Sequence, residues 1–226
     1  MNFSRLIRSH YEESPGFDGV SENHHISLPS NGIFVVADGL GGPVAGKEAA
    51  RVACEAVVEF LKREGGDRDA TLPFVLRSYC SLPGNVLFNA LIHANRRVLA
   101  LNQGKGVHEK GAASVIAGLV DRQTLALASI GGNSAWLTRG GEVRELVTPR
   151  SWGRFRDPRG AAPEPWVDAL PLAALGVVED LEPEVVEFRL REGDRIHAGC
   201  NKAFSNQIDS TQAKSAEQLQ LVWEVQ

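Results

Sequence analysis

Residues 33–50, IFVVADGLGGPVAGKEAA, decide how the rest of the chain is read. Ile33, Phe34, Val35, Val36 and Ala37 make a continuous apolar run with the length of a buried strand. Asp38 is expected to end that strand, Gly39, Gly41 and Gly42 to form a turn, and helical spacing to begin at Val44. A carboxylate at the end of an apolar strand, followed by glycines, suits a metal ion held close to the backbone. Glycine lets the chain turn sharply and leaves its carbonyl oxygen uncovered. An ordinary strand, turn and helix with Asp38 as the turn residue has the same spacing, so spacing alone leaves both readings open.

Working outward, residues 23–28 (NHHISL) predict a short strand paired with 33–37 across the turn Pro29-Ser30-Asn31-Gly32. That hairpin brings His24 and His25 near Asp38. Neighbouring residues on a strand face opposite ways, so only one of the two histidines can share the face of Asp38. The remaining N-terminal residues are polar, with Pro15, Gly16 and Gly19 among them, and predict no element.

On the other side, Ala49, Val52, Ala53, Ala56, Val57, Phe60 and Leu61 recur at helical spacing and predict a helix over 44–62, stopped by Gly65 and Gly66. A second helix is expected from 83 or 85 to 101, packed antiparallel to the first. Residues 114–120 with 124–130, and 135–139 with 142–147, predict two hairpins turning at Asp121-Arg122 and Gly140-Gly141. Residues 149–171 show no period and read as a loop. Residues 184–190 and 194–198 predict a strand pair around Gly193, and 219–225 a closing strand.

With 226 residues, 43% of them hydrophobic, the chain can bury a sizeable core, and a single domain over 1–226 is expected. A net charge of −4 gives no electrostatic case for nucleic acid or an anionic membrane as partner. Cys54, Cys80 and Cys200 are too few and too widely spaced for a C-x-x-C metal pair or a closed disulfide framework. No apolar stretch has the length of a signal peptide or a membrane span, so a cytoplasmic location is expected.

VVADGLGGPVAGKEAA resembles the VADGMGG-x-x-x-G-x-x-A segment of the metal-dependent protein phosphatases, the type 2C serine/threonine phosphatase (PPM) family. Further segments carry the likeness. GAAS at 111–114 is similar to the family's G-T-T, and IGGNSAWL at 130–137 to its V-G-D-S-R-A-Y-L. GDRI at 193–196 is similar to its G-D-x-L, and EQLQLVWEV at 217–225 to its terminal D-N-x-T-x-V-V-x-V. The resemblance covers most of the chain. It implies an α+β fold, a four-layer αββα sandwich of two antiparallel sheets flanked by helices. Residues 204–217 leave room for one helix where the family usually has more, so the C-terminal helical layer is expected to be reduced.

The resemblance also implies a chemistry, hydrolysis of phosphoserine and phosphothreonine by a water held between two Mn²⁺ or Mg²⁺ ions. Residue by residue, the set is incomplete. Asp38 stands in the place of the bridging aspartate and Gly39 in that of the backbone ligand, but the acidic pair of the family's N-E-D falls on His24 and His25. The aspartate of G-D-S-R falls on Gly132, that of S-D-G on Asn201 with Lys202 after it, and the terminal aspartate on Glu217. The phosphate-gripping arginine has no counterpart, since Gly19, Val20 and Ser21 occupy that stretch. At about 4 Å and an effective dielectric near 20, each missing pairing of a carboxylate with a divalent ion forfeits roughly 8 kcal/mol before desolvation. A paired hard-metal site is therefore expected to be lost or very weak.

Two consequences compete. In one, the centre is vestigial, no cofactor is held, and Lys202 neutralises a remaining carboxylate in place of a metal. The chain is then a pseudophosphatase, a regulatory module for a phosphoprotein, a kinase or a bacterial secretion or regulatory assembly. In the other, His25, Asp38, Gly39, Asn201 and Glu217 form a substituted shell, either for Mn²⁺ or Mg²⁺ or for a single Zn²⁺ or iron ion, and serve an atypical phosphatase. A purely structural role in a larger assembly is a third reading. Arg150, Arg154, Arg156 and Arg159, with Trp152 and Trp166 among them, form the one basic and aromatic cluster and suit an acidic or phosphorylated protein partner. A solvated loop has the same composition. His197 and Cys200 are three apart on an expected strand, hence on opposite faces, which argues against a Cys-His catalytic pair.

Overall fold

The computed structural model describes residues 7–14, 21–64, 76–155, 167, 170–200 and 218–225. In chain order the strands are β1 (Ile7–Ser14), β2 (His24–Leu28), β3 (Ile33–Leu40), β4 (Ala112–Asp121) and β5 (Thr124–Ile130). They continue with β6 (Asn133–Arg139), β7 (Glu142–Val147), β8 (Glu184–Arg189), β9 (Arg195–Cys200) and β10 (Gln218–Val225). The helices are α1 (Ala45–Glu64), α2 (Leu82–Leu101) and the short α3 (Trp152–Phe155). Two antiparallel sheets result, ordered β2-β3-β4-β5-β8 and β1-β10-β9-β6-β7.

The unbroken apolar run of β3 follows from its place between two cores, because a strand buried on both faces has no polar alternation. Ile33, Val35 and Ala37 face α1 and α2, where they meet Ala49, Ala53, Val57, Leu87 and Leu91. Phe34 and Val36 face the opposite sheet, where Ile196, Leu221 and Trp223 complete the second core. Two antiparallel sheets with flanking helices are thus what the resemblance implied. None of the described helices is long and apolar enough to cross a membrane.

Three details differ from expectation. β3 runs through Asp38 to Leu40, since Asp38 pairs with Ser114 and Leu40 with Ala112. β1, whose sequence IRSHYEES has no apolar alternation, pairs along its whole length with β10. β8 and β9 are not paired with each other: β8 adds to β5 and β9 lies between β10 and β6. The reason is the turn between them. Asp194 is fully buried and accepts hydrogen bonds from Arg139 Nε at 2.7 Å, Arg139 Nη2 at 2.6 Å and the Arg191 amide at 2.8 Å. Leu190 N–H donates to Gln123 and Gly193 N–H to Val225, so the turn is tied to two different sheets. The expected reduction of the C-terminal helical layer falls on residues outside those described.

Buried asparagines position the segment across the end of the first sheet. Asn102 Nδ2 donates to the carbonyls of Gly111 at 2.7 Å and Gly176 at 3.2 Å, and its Oδ1 accepts from Gly111 N–H at 3.1 Å. Two turns earlier on the same helix face, Asn95 Nδ2 donates to Val178 O at 2.8 Å and its Oδ1 accepts from Gly176 N–H at 2.8 Å. Asn102→Ala strands several buried backbone groups and is expected to cost about 2–3 kcal/mol. Urea unfolding checks this, and a loss under about 1 kcal/mol would mean that water replaces the carboxamide.

Candidate functional site

The site is the end of the inter-sheet space where β3 leaves the core. Asp38 continues the face of Phe34 and Val36, because alternate residues of a strand share a face. It is only partly buried. Directly opposite on β4 stands Ser114, 1% exposed. Ser114 Oγ accepts from Gly132 N–H at 3.2 Å, where the chain passes from β5 to β6. Gly131 has φ +94°, and a Cβ there would strike Ser114 Oγ and lie 2.7 Å from the Ala173 carbonyl oxygen, so both conformation and space demand glycine. Asn133 follows on the face that Ala135 and Leu137 turn toward the inter-sheet core. It is 1% exposed, and neither its Nδ2 nor its Oδ1 has a hydrogen-bond partner among the described residues.

β2 supplies the other wall. His25 pairs with Val36 and so lies on the Asp38 face, whereas His24 pairs with Ala37 on the helix side, where its carbonyl accepts from the Cys54 thiol at 3.5 Å. Gly39 sits against the first turn of α1. A Cβ at Gly39 would collide with the Gly46 carbonyl and lie 2.6 Å from the Glu22 carbonyl oxygen. Glu22, which sequence reasoning did not single out, lays its carboxylate over Gly46, on the α1 side of the sheet. The only signal for it was its place one residue before Asn23-His24-His25.

The donors near the Asp38 turn thus include the Ser114 hydroxyl, the His25 imidazole, the Asn133 carboxamide and, on the α1 side, the Glu22 carboxylate. Among the described residues no three of His, Cys, Asp and Glu converge as a metal-holding group. Such a mixture fits a single borderline ion better than two hard divalent ions, which need several carboxylates. Asn201 and Glu217 lie outside the described residues, as do Arg156, Arg159, Trp166 and Lys202. Burial pushes the Cys54 thiol far up, which removes it as a nucleophile at neutral pH. His197 pairs with Trp136 and stands 3.5 Å from Thr138 Oγ1.

The structure brings the described part of the basic and aromatic cluster, Arg150, Trp152 and Arg154, to this same end. Arg150 N–H donates to Gly131 O at 2.9 Å, Leu172 N–H to Arg150 O at 2.9 Å and Trp152 N–H to Leu170 O at 2.8 Å. Residues 150–152 therefore run beside 170–172, next to the Ser114–Gly132 contact. Arg150 pairs with Glu184 at 3.1 Å and Arg154 with Glu145 at 3.2 Å, while Trp152 is 52% exposed. These exposed ion pairs are worth little and exchange readily for another acid.

Comparison with known proteins supplies the context. A profile of the family described as protein phosphatase 2C matches residues 17–156. No curated protein matches the chain. Among solved structures, PppA, described as a key regulatory component of the T6SS in Pseudomonas aeruginosa, is 18% identical, with a TM-score of 0.71 and 98% of each chain covered. The catalytic domain of the serine/threonine protein phosphatase PstP, in complex with two manganese ions, is 17% identical, with a TM-score of 0.69 and 96% of this chain and 97% of that one covered. The serine/threonine phosphatase Stp1 from Staphylococcus aureus is 13% identical, with a TM-score of 0.74 and 100% and 97% covered. At these identities the likeness is one of fold.

Proposed function

Because this chain belongs to the protein phosphatase 2C family, we propose that it is a pseudophosphatase, a regulatory module that binds a protein partner with the surface around its former catalytic centre. The observation that carries this reading is what stands at the positions of the family's acidic ligands beside Asp38: His25 shares its face of the sheet, Ser114 is its cross-strand partner, and Gly132 follows β5 where the family's aspartate falls. Two divalent ions a few ångströms apart repel each other, and an imidazole, a hydroxyl and a glycine in place of carboxylates offset less of that repulsion. Should a metal bind, Asp38 and the Gly39 carbonyl, with His25, would hold it, and it would supply a polarised water. The protein's own groups would then only orient that water and exclude others.

The partner fits the Arg150, Trp152 and Arg154 segment, where two arginines in exchangeable ion pairs flank an exposed indole. An acidic or phosphorylated protein is the chemistry that such a surface recognises. The regulatory role named for PppA supports a partner within a bacterial secretion assembly.

The test is calorimetric titration of metal-free protein with Mn²⁺ and Zn²⁺, alongside Asp38→Ala, with phosphate release from a phosphopeptide followed in the same samples. The expected result is no Asp38-dependent heat and no turnover. Binding that disappears in Asp38→Ala, accompanied by phosphate release, would replace the pseudophosphatase with an atypical phosphatase built on a substituted shell.

A further inference from the structure

Behind the Asp38 turn, on the side of α2, the surface opens into a cavity of about 690 Å³ between Leu40-Gly41, the end of α2, Lys110 and residues 170–177. A second cavity of about 610 Å³, bounded by Val44, Leu101 and Lys105, adjoins it at Gly41. Around the joint opening stand aliphatic side chains in water: Val44 is 85% exposed, Val107 81% and Val177 62%. Single exposed aliphatics are ordinary, but several around one concavity mark an interaction site.

The walls are held in place. Asn102 ties Gly111 to Gly176, and Asn95 ties Gly176 and Val178 to α2. Gly41, with φ +114°, brings its backbone against the Lys110 carbonyl, and a Cβ there would lie 2.6 Å from that oxygen. A cleft already in its bound shape loses little conformational freedom on binding.

Charge selects the occupant. The larger hollow has Lys110 as its one charged lining residue; in the adjoining one Glu48 is paired with Arg51 at 2.9 Å, and Glu109, which keeps its charge, accepts from the Gly106 amide at 2.9 Å. The ammonium groups of Lys105 and Lys110 have no ion-pair partner among the described residues. A chain of net charge −4 therefore presents two available cations at the rim of an apolar hollow. A second copy of the chain fits poorly, because a two-fold contact through this face would set the lysines against themselves.

We propose that this cleft docks an extended segment of a partner protein in which aliphatic side chains alternate with carboxylates. The aliphatic groups enter beside Val107 and Val177, and the acids meet Lys105 and Lys110. This surface borders the Arg150 segment at residues 170–172 and the Asp38 turn at Leu40-Gly41 but uses the side chains of neither, and it stands whether or not the chain hydrolyses phosphate.

The test uses the full chain and a fluorescein-labelled twelve-residue peptide of alternating leucine and aspartate, read by anisotropy. Saturable binding is expected. Val107→Asp and the double variant Lys105→Glu/Lys110→Glu should each weaken it about tenfold or more, while Asp38→Ala leaves it within about twofold; a tenfold change corresponds to 1.4 kcal/mol. The charge-reversed variant should gain affinity for a leucine–lysine peptide. Val107 is exposed, and a thermal melt of its variant verifies folding. The proposal is overturned if no saturable binding occurs, or if a serine–aspartate peptide binds equally well. It is also overturned if Val107→Asp is without effect, or if sedimentation shows a self-association that Val107→Asp abolishes and the peptide does not compete with.

Discussion

Trp223→Ala is expected to destabilise the protein by about 4 kcal/mol, a buried-tryptophan truncation, and to lower the melting temperature by about 8–16 °C at this chain length. Trp223 is buried on β10 and meets Phe34 of the facing sheet edge-on, with ring centroids 4.9 Å apart. Its Nε1–H donates to Ser27 Oγ at 3.0 Å, and Ser27 Oγ–H donates to Ser9 Oγ at 3.0 Å. One side chain thus ties three strands across both sheets. Trp223→Phe keeps most of the packing and leaves the Ser27 hydroxyl without its donor, so it should cost about 1–2 kcal/mol. Equilibrium unfolding followed by circular dichroism separates the two variants. If the alanine variant loses no more than the phenylalanine variant, the inter-sheet core is not organised around this ring.

Gly39→Ala is expected to cost about 3 kcal/mol, at the upper end for inserting a methyl group into a packed interior. Gly39 is not in the left-handed region, so its backbone would accept alanine. What forbids the methyl is space, since two carbonyl oxygens, of Gly46 and Glu22, occupy the place of a Cβ. Neither is a side-chain end that can swing away. β2, β3 or α1 must shift, and with it the Gly39 carbonyl. Gly46→Ala is the comparison, because its Cβ would meet chiefly the flexible Glu22 carboxylate and alanine favours the helix. The Gly46 variant should stay within about 1 kcal/mol of the parent. Equal losses in urea titrations would show that the β3–α1 contact is looser than its geometry.

Much of the fold was legible because it rests on patterns that reach only a few residues. The apolar run of β3 and the spacing of Ala49, Ala53, Val57 and Leu61 state their own burial. β1 was not legible, since IRSHYEES carries no alternation and only its pairing with β10 makes it a strand. Nor was the parting of β8 from β9, which depends on the meeting of Asp194 with Arg139, fifty-five residues apart in sequence. At the site, the order Asp38-Gly39 and the parity that sets His25 beside Asp38 were readable from strand geometry. The contact of Ser114 with Gly132, the burial of Asn133 and the placement of Arg150 beside Gly131 were not, because each depends on how the chain crosses between sheets. Asn95 and Asn102 did carry a signal. They lie seven residues apart on the helix face that buries Leu91 and Val98, and a polar residue on an apolar stripe is the informative exception.

Those two asparagines bear on motion as well as shape. Gly111, which leads into β4, and Gly176, which crosses the sheet end, are bonded to one side chain of α2 rather than to solvent. Neither can swing out alone without stranding buried amides. The strand's first residues, the crossing segment and the last turn of the helix therefore belong to one cooperative unit, which opens all together or not at all. Ala113 and Leu175 add a pair of reciprocal backbone hydrogen bonds to that unit, at 3.1 and 2.8 Å, one residue before Ser114.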